Sequence, residues 1–577
     1  MPPLFDERSG KASRHVLRLA AGAAGGIPKH MIRQEIEVRV RYAETDQMGI
    51  VYHANYFTWF EMARVEMLDT VGLPYREIEA AGLMLPVLAC EARFRASARF
   101  DDRVTVTAEM PELPRLRFWI HYRVERADTV LATGKTEHAF MRGDGRPARP
   151  LTPRRAPPTL APDPPPDPPM PEPRTLHDAF AATAAAHPDA PFLAVPARAG
   201  RGYLEAGAEI AYGAAAAAVS ALAAAYAAAG YGPGHRVALA LDNHPHHFLH
   251  LLALNAVGAG AAPYNPHYLA DETAYFLAHS EAVLAVALPW NAPKLAEAAP
   301  DLPILPWTDG ADPAAFAPPP PPFPKRGDPP GPKTEAALFY TSGTTARPKG
   351  CLIDNAYALA GGACYRDLGG ALTLRPGEER LYNPLPAFHM NGGINTPTAM
   401  ILTRNCLILP DRFHAATWWD DLRATGATAM HYLGVIPPVL MKAPPSPRDR
   451  EHGLRFGLGA GIEPSLHAAF EARFGLPMVE VWGMTETGRF LAACHEPRGV
   501  GARAFGRPTP DFEAKVADET GREVPRGTEG ELLVRSPGPD PRATFFAGYL
   551  KDPEATEEAW RGGWFHTGDV VTMDETG

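Results

Sequence analysis

Three segments near the N-terminus, QEIEVRVRY, RVTVTAEM and LRFWIHYRVER, alternate apolar and polar residues with a period of two. This is the pattern of half-buried antiparallel strands. Between the first and second lies YFTWFEMARVEMLDTVG, where Phe57, Phe60, Arg64, Met67, Leu68 and Val71 mostly follow helical spacing. One long helix against a curved antiparallel sheet is the simplest packing that buries both apolar faces. Further along the period changes. Ala-rich helical stretches such as 213–229 alternate with short apolar runs like RVALAL and CLILP, which predicts parallel α/β layers.

Between the two patterns, residues 150–173 read PLTPRRAPPTLAPDPPPDPPMPEP. Proline lacks a donor and fixes its own φ, so the segment is expected to form an extended, semi-rigid spacer. The expected organisation is an arm over 1–30, an α+β domain over 31–148, a linker over 149–173 and a large α/β region over 174–577. A second proline cluster, PPPPPFPKRGDPPGPK at 318–333, is expected as a surface loop within the large region.

Composition narrows the partners. The 577 residues carry a formal net charge of -10, so no basic surface points to nucleic acid or anionic membrane. The five cysteines are scattered without a C-x-x-C pair; neither a disulfide framework nor a zinc site is expected, and buried small side chains are. We read the hydropathy as giving no transmembrane segment, and a cytoplasmic protein is the expectation. The apolar stretch of the arm is short and interrupted by Arg18, unlike a leader.

RYAETDQMGIVYHANYF (41–57) sets a carboxylate and an imidazole between the end of a strand and the start of the long helix. Free N–H groups at a helix N-terminus can polarise a carbonyl while a nearby Asp activates water or attacks directly. From the residues alone, Asp46 and Asn55 are equally readable as turn and cap residues. The motif Y-x-E-T-D-x-x-G-x-V-Y-H-x-N-Y, followed by FEMARVEML, resembles the hotdog-fold acyl-CoA thioesterases of the 4-hydroxybenzoyl-CoA thioesterase type over about 31–145. The resemblance implies a hotdog domain, an antiparallel sheet around a long helix. It also implies a catalytic carboxylate at Asp46, a thioester-binding N–H at His53, acyl-CoA as substrate and a homo-oligomer assembled through this domain.

ALFYTSGTTARPKGCLID (337–354) runs from an apolar strand into a loop of hydroxyl residues and glycines that ends near Lys349. Small residues let N–H groups and hydroxyls approach phosphate oxygens, and a lysine adds positive charge. The order is not that of a Walker A loop. YNPLPAFHMNGG, GLGAGIEP, VEVWGMTETG, GELLVRSPG, GYLKDPEAT and GWFHTGD follow in sequence, and with them the region from about 174 to 577 resembles the acyl-adenylating superfamily, which includes acyl-CoA synthetases.

That resemblance implies ATP, Mg2+ and coenzyme A, with a carboxylic acid as the substrate. It makes Thr341, Ser342, Gly343, Thr344, Thr345 and Lys349 the phosphate loop. Trp482 would stack on adenine, with Gly459, Ala460 and Gly461 near adenine and acyl group. Asp569 would receive the ribose hydroxyls, and His389 would line the acyl cavity unless it is a packed core residue. Thr485 would contact phosphate, and Glu486 would hold magnesium, which suits a lone carboxylate when water and ATP supply the other ligands. The superfamily's lysine-bearing C-terminal subdomain, of about a hundred residues, is missing from this sequence, and is expected to be truncated, supplied separately or encoded beyond Gly577. The leading expectation is a bifunctional enzyme, an AMP-forming acyl-CoA ligase joined to a thioesterase. The alternative is an active thioesterase fused to a non-catalytic nucleotide- or acyl-binding domain.

Overall fold

A computed structural model of the chain describes residues 32–41, 44–46, 48–70, 83–110, 117–127, 129–142, 173–341, 347–575 and 577. The expected arm over 1–30, the linker up to residue 172 and Val71 lie outside the described residues. The chain divides into two compact units, Met1–Pro169 and Met170–Gly577.

In the first unit five strands form one sheet, in the order Ile32–Arg39, Arg103–Met110, Arg117–Arg126, Thr129–Ala139 and Val87–Phe94. Every pairing is antiparallel. Helix Asn55–Thr70 packs on this sheet, burying Trp59, Phe60, Ala63 and Met67 against Val104, Val106, Ile120 and Val124. Phe60 stacks on Tyr122 at 4.4 Å between ring centroids. A Cβ on Gly134 would lie 2.4 Å from Phe60 Cε2, so the ring can take this seat only above a residue without a side chain.

The second unit converts its short apolar runs into two large sheets. Five parallel strands are ordered Ile304–Pro306, Ala282–Ala287, Arg236–Ala240, Gly260–Pro263 and Glu335–Thr341. Lys349–Asp354 and Gly548–Tyr549 then add antiparallel to that edge. The other sheet is ordered Phe490–Ala492, Met478–Gly483, Phe456–Ala460, Ala429–Leu433, Arg380–Tyr382, Cys406–Ile408, Pro191–Val195 and Ala208–Ala211. Strands covered on both faces need apolar residues throughout, which is why RVALA and AVLAVA do not alternate. A smaller antiparallel sheet joins Glu513–Ala517, Gly530–Arg535 and Phe565–Val571.

One helix and one cysteine stand apart. Helix Tyr212–Ala229 carries no charge and is long and apolar enough, by length and composition alone, to cross a membrane. Here its Tyr212, Ala215, Val219, Leu222 and Tyr226 join the main core of the second unit, and Gly230, at φ +96°, closes its end. Cys90 is exposed, whereas Cys351, Cys364, Cys406 and Cys494 are buried as expected.

Helix Pro245–Val257 and its N-cap bring four histidines into the interior. Burial holds His244 at about 4 and His246 and His247 at about 3, and drives His250 well below its ordinary value. Around them stand Asp309, 3.4 Å from His244 Nε2, and Tyr226, whose hydroxyl is 2.9 Å from His250 Nδ1. Arg201 adds a weaker positive field at His244. Neither ring nitrogen of His247 has a hydrogen-bond partner.

Because these folded values lie below the ordinary 6.5, stability is complete above about pH 6.5 and falls as the pH drops toward the folded values. The loss is about 1.4 kcal/mol per pH unit for each such histidine. His247→Leu is therefore expected to leave the stability of the second unit at pH 7 nearly unchanged. It should also reduce the loss between pH 6.5 and pH 5, read from urea unfolding at each pH; an identical pH slope would contradict this.

Candidate active sites

In the first unit the chain doubles back between the first strand and the long helix. Thr45 bridges Val51, Asp46 N–H donates to Ile50 C=O at 2.8 Å, and Tyr52 N–H donates to Glu44 C=O at 2.8 Å. Asp46 and His53 thus occupy one short loop at the helix N-terminus. Asp46 Oδ1 accepts from Met48 N–H at 2.8 Å, so the turn role readable from the residues is real. Among the described residues its other oxygen receives no hydrogen bond. His53 is exposed, and its ring lies beside Tyr52 and Phe94.

Glu44, which sequence reasoning passed over, secures this loop. Its buried carboxylate accepts from Arg41 N–H at 2.8 Å and Trp59 Nε1–H at 3.2 Å, and its carbonyl accepts from Asn55 Nδ2–H at 2.9 Å.

In the second unit the motif residues gather where strands end. Thr341 and Lys349 are cross-strand partners, so they form the stems of the hydroxyl-rich loop; Ser342, Gly343, Thr344 and Thr345 lie outside the described residues. Parallel strands Ala429–Leu433, Phe456–Ala460 and Met478–Gly483 are neighbours, with Gly459 opposite Glu480, so Gly459, Ala460 and Gly461 lie at the end of the strand next to the one that carries Trp482. Trp482 Nε1–H donates to Asp569 Oδ2 at 2.7 Å, joining two motifs separated by 87 positions. Thr485 C=O accepts from Tyr357 O–H at 2.6 Å.

Glu486 is only 6% exposed, which removes an incidental surface charge as its explanation. Its Oε1 accepts from Tyr549 O–H at 2.8 Å. Burial raises its pKa above the ordinary carboxylate value, opposed by that hydroxyl and by the positive field of Lys349. The Lys349 ammonium sits 4.6 Å from the centroid of the Tyr549 ring. Among the described residues no three His, Cys, Asp or Glu side chains cluster as a metal-binding set. A single buried carboxylate fits a magnesium ion held mostly by water and phosphate oxygens.

His389 is exposed rather than packed in the core, and surrounding protein lowers its pKa. It precedes a π-helical turn, Asn391–Asn395, a feature frequent at functional sites. Behind that turn, buried His431 is held between Tyr365 O–H at 2.9 Å and Asn391 Oδ1 at 3.0 Å.

Residues 180–550 match the family model described as AMP-binding enzyme. The chain belongs to that family. It is 32% identical over 427 residues to a sulfoacetate–CoA ligase of Cupriavidus necator, covering 70% of this chain and 77% of the relative. It is 30% identical to a crotonobetaine/carnitine–CoA ligase of Citrobacter koseri, over 61% of this chain and 69% of the relative. The crystal structure of ATP-bound MatB from Rhodopseudomonas palustris superposes with a TM-score of 0.58 at 26% identity, covering 70% of this chain and 77% of that one. Residues 40–174 match the thioesterase-like superfamily.

The AMP-binding region holds a further residue that sequence reasoning missed. Glu480, buried, accepts from Gly461 N–H at 3.0 Å, Ile462 N–H at 2.8 Å and Tyr432 O–H at 3.0 Å. It pins the loop that follows Ala460, where Gly461 stands at φ +81°. Its position two residues before Trp482 is the only signal the sequence offers, since a strand Glu reads as a solvated charge. Glu480→Ala leaves the Gly461 and Ile462 N–H groups without an acceptor, while Tyr432 O–H keeps Val479 C=O at 3.2 Å, so a loss of about 2 kcal/mol is expected in chemical denaturation of the second unit. A change below about 1 kcal/mol would show that water replaces the carboxylate.

Proposed function

We propose that this chain activates a carboxylic acid with ATP, forming an acyl-adenylate and then an acyl-CoA thioester, and that its N-terminal unit hydrolyses acyl-CoA. The observation that carries the ligase reading is the buried Glu486 beside Lys349 at the stems of the hydroxyl-rich loop. CoA ligases stand among its relatives. In the first step a substrate carboxylate oxygen bonds to the α-phosphorus as the bond to the pyrophosphate oxygen breaks. In the second, the CoA sulfur bonds to the acyl carbon, AMP leaves, and the thiol proton passes to solvent.

Within this reading Thr341, Lys349 and the loop between them bind the phosphates, and Thr485 lies beside them. Trp482 faces adenine, Asp569 accepts from the ribose hydroxyls, and the 459–461 loop and His389 border the acyl group. Glu486 would hold magnesium, which supplies neutralisation of phosphate charge when bound. In the N-terminal unit, read as a hotdog thioesterase over 31–148, Asp46 activates water or attacks the thioester carbonyl while the His53 N–H polarises its oxygen. A homo-oligomer through this unit accords with strand Val87–Phe94, outermost in its sheet with Val87, Leu88 and Phe94 exposed.

The test incubates the chain with ATP, Mg2+, CoA and a panel of carboxylates that includes sulfoacetate and crotonobetaine. A second preparation carries an appended lysine-bearing subdomain, and acyl-CoA hydrolysis is followed in parallel. AMP and acyl-CoA are expected, with hydrolysis reduced at least about a hundredfold in Asp46→Asn, the usual weight of a general base. Absence of AMP and acyl-CoA from both preparations would overturn the ligase reading. Full hydrolysis by Asp46→Asn would overturn the assignment of Asp46.

A further inference from the structure

Tyr549 belongs to GYLKDPEAT, a motif to which the sequence assigns no chemical role. Its placement is tightly determined. Strand Gly548–Tyr549 pairs with Lys349–Asp354, setting Tyr549 opposite Cys351. Phe546 N–H donates to Glu486 C=O at 3.0 Å, Ala547 N–H to Leu352 C=O at 2.8 Å and Leu550 N–H to Gly350 C=O at 2.7 Å. Tyr549 N–H donates to Thr556 Oγ1 at 2.9 Å.

A buried guanidinium fixes the approach to this strand. Arg489, 1% exposed, donates to Ala543 C=O at 2.8 Å and Ser536 Oγ at 2.6 Å, and it also meets Thr544 Oγ1. The Arg489 side chain, three residues after Glu486, therefore grips the segment that returns Tyr549 to Glu486.

The side chain then does two separable things. Its hydroxyl donates to Glu486 Oε1, and its ring face carries the Lys349 ammonium. A carboxylate free to rotate presents either oxygen or both; one tied through Oε1 to a phenol on a paired strand is restrained in its rotation. We propose that Tyr549 is a positioning residue for metal-dependent nucleotide binding, its hydroxyl orienting the Glu486 carboxylate and its ring seating Lys349. The inference rests on the nucleotide-activating reading above and assigns Tyr549 no contact with substrate.

Two variants separate the two contacts. Tyr549→Phe keeps the ring and removes the hydroxyl; Tyr549→Leu removes both. ATP binding is measured by calorimetry across a MgCl2 series and in EDTA, with the EPR signal of Mn2+ as a second report on the metal. Ligand-free unfolding temperatures establish that each variant is folded.

Tyr549→Phe is expected to raise the Mg2+ needed for half-maximal ATP binding about tenfold, the weight of a hydrogen bond to a charged group, and to leave affinity in EDTA unchanged. Tyr549→Leu is expected to weaken binding in EDTA as well, by about fivefold, the weight of one cation–π contact. A folded Tyr549→Phe with an unchanged or lower Mg2+ requirement overturns the role of the hydroxyl. A folded Tyr549→Leu that binds ATP in EDTA as tightly as the parent overturns the role of the ring. A parent chain that binds no ATP with Mg2+ overturns the reading on which the inference rests.

Discussion

Burying a carboxylate is expensive unless its charge is matched, and at Glu486 the large unit offsets part of that cost, the carboxyl pKa staying raised. The carboxylate is covered, accepts from the Tyr549 hydroxyl, meets the Cys351 thiol and lies in the field of the Lys349 ammonium. The partners arrive on two elements: Lys349 opens the strand paired with Thr341, and Tyr549 sits on the short strand added beside it. Losing register in either strand would strand the charge. The sheet edge and the motif after strand Met478–Gly483 are thus tied at a single point.

Both units place chemistry-bearing residues by the same physical device. A loop leaves the end of a strand, and a buried acid accepts hydrogen bonds from the backbone N–H groups beside it. Glu44 does this under the loop carrying Asp46 and His53, and Glu480 does it under Gly461 and Ile462. Loops fixed in this way hold their remaining groups in place without reorganising. On the proposed reading the two units run opposing reactions on acyl-CoA, so shared substrate would consume ATP without product. Different acyl preferences, or removal of wrongly loaded acyl groups, resolve that conflict.

Much of the fold was legible in the sequence because burial imposes periodicity. Alternation in RVTVTAEM marked a sheet covered on one face, and continuous runs such as RVALA marked strands covered on both. Composition alone could not tell what covers a helix; the uncharged stretch from Tyr212 to Ala229 is placed in the core only by the fold. Motif order located Trp482, Glu486 and Asp569, but pairings across 87 and 63 positions, Trp482 with Asp569 and Glu486 with Tyr549, depend on tertiary closure. Glu480 was invisible for a related reason: only the fold turns a strand glutamate inward. Exposed His389 could not be told from a core histidine, since both readings suit a histidine among apolar neighbours.

The central claim is that the strand ends around Glu486 form a nucleotide site. A crystal structure of the chain with ATP and Mg2+ tests it most directly. The account predicts adenine beside Trp482, the ribose hydroxyls on Asp569 and the metal at Glu486, with Lys349 near the phosphates. Nucleotide bound elsewhere in the second unit, or a metal without contact to Glu486, would contradict it.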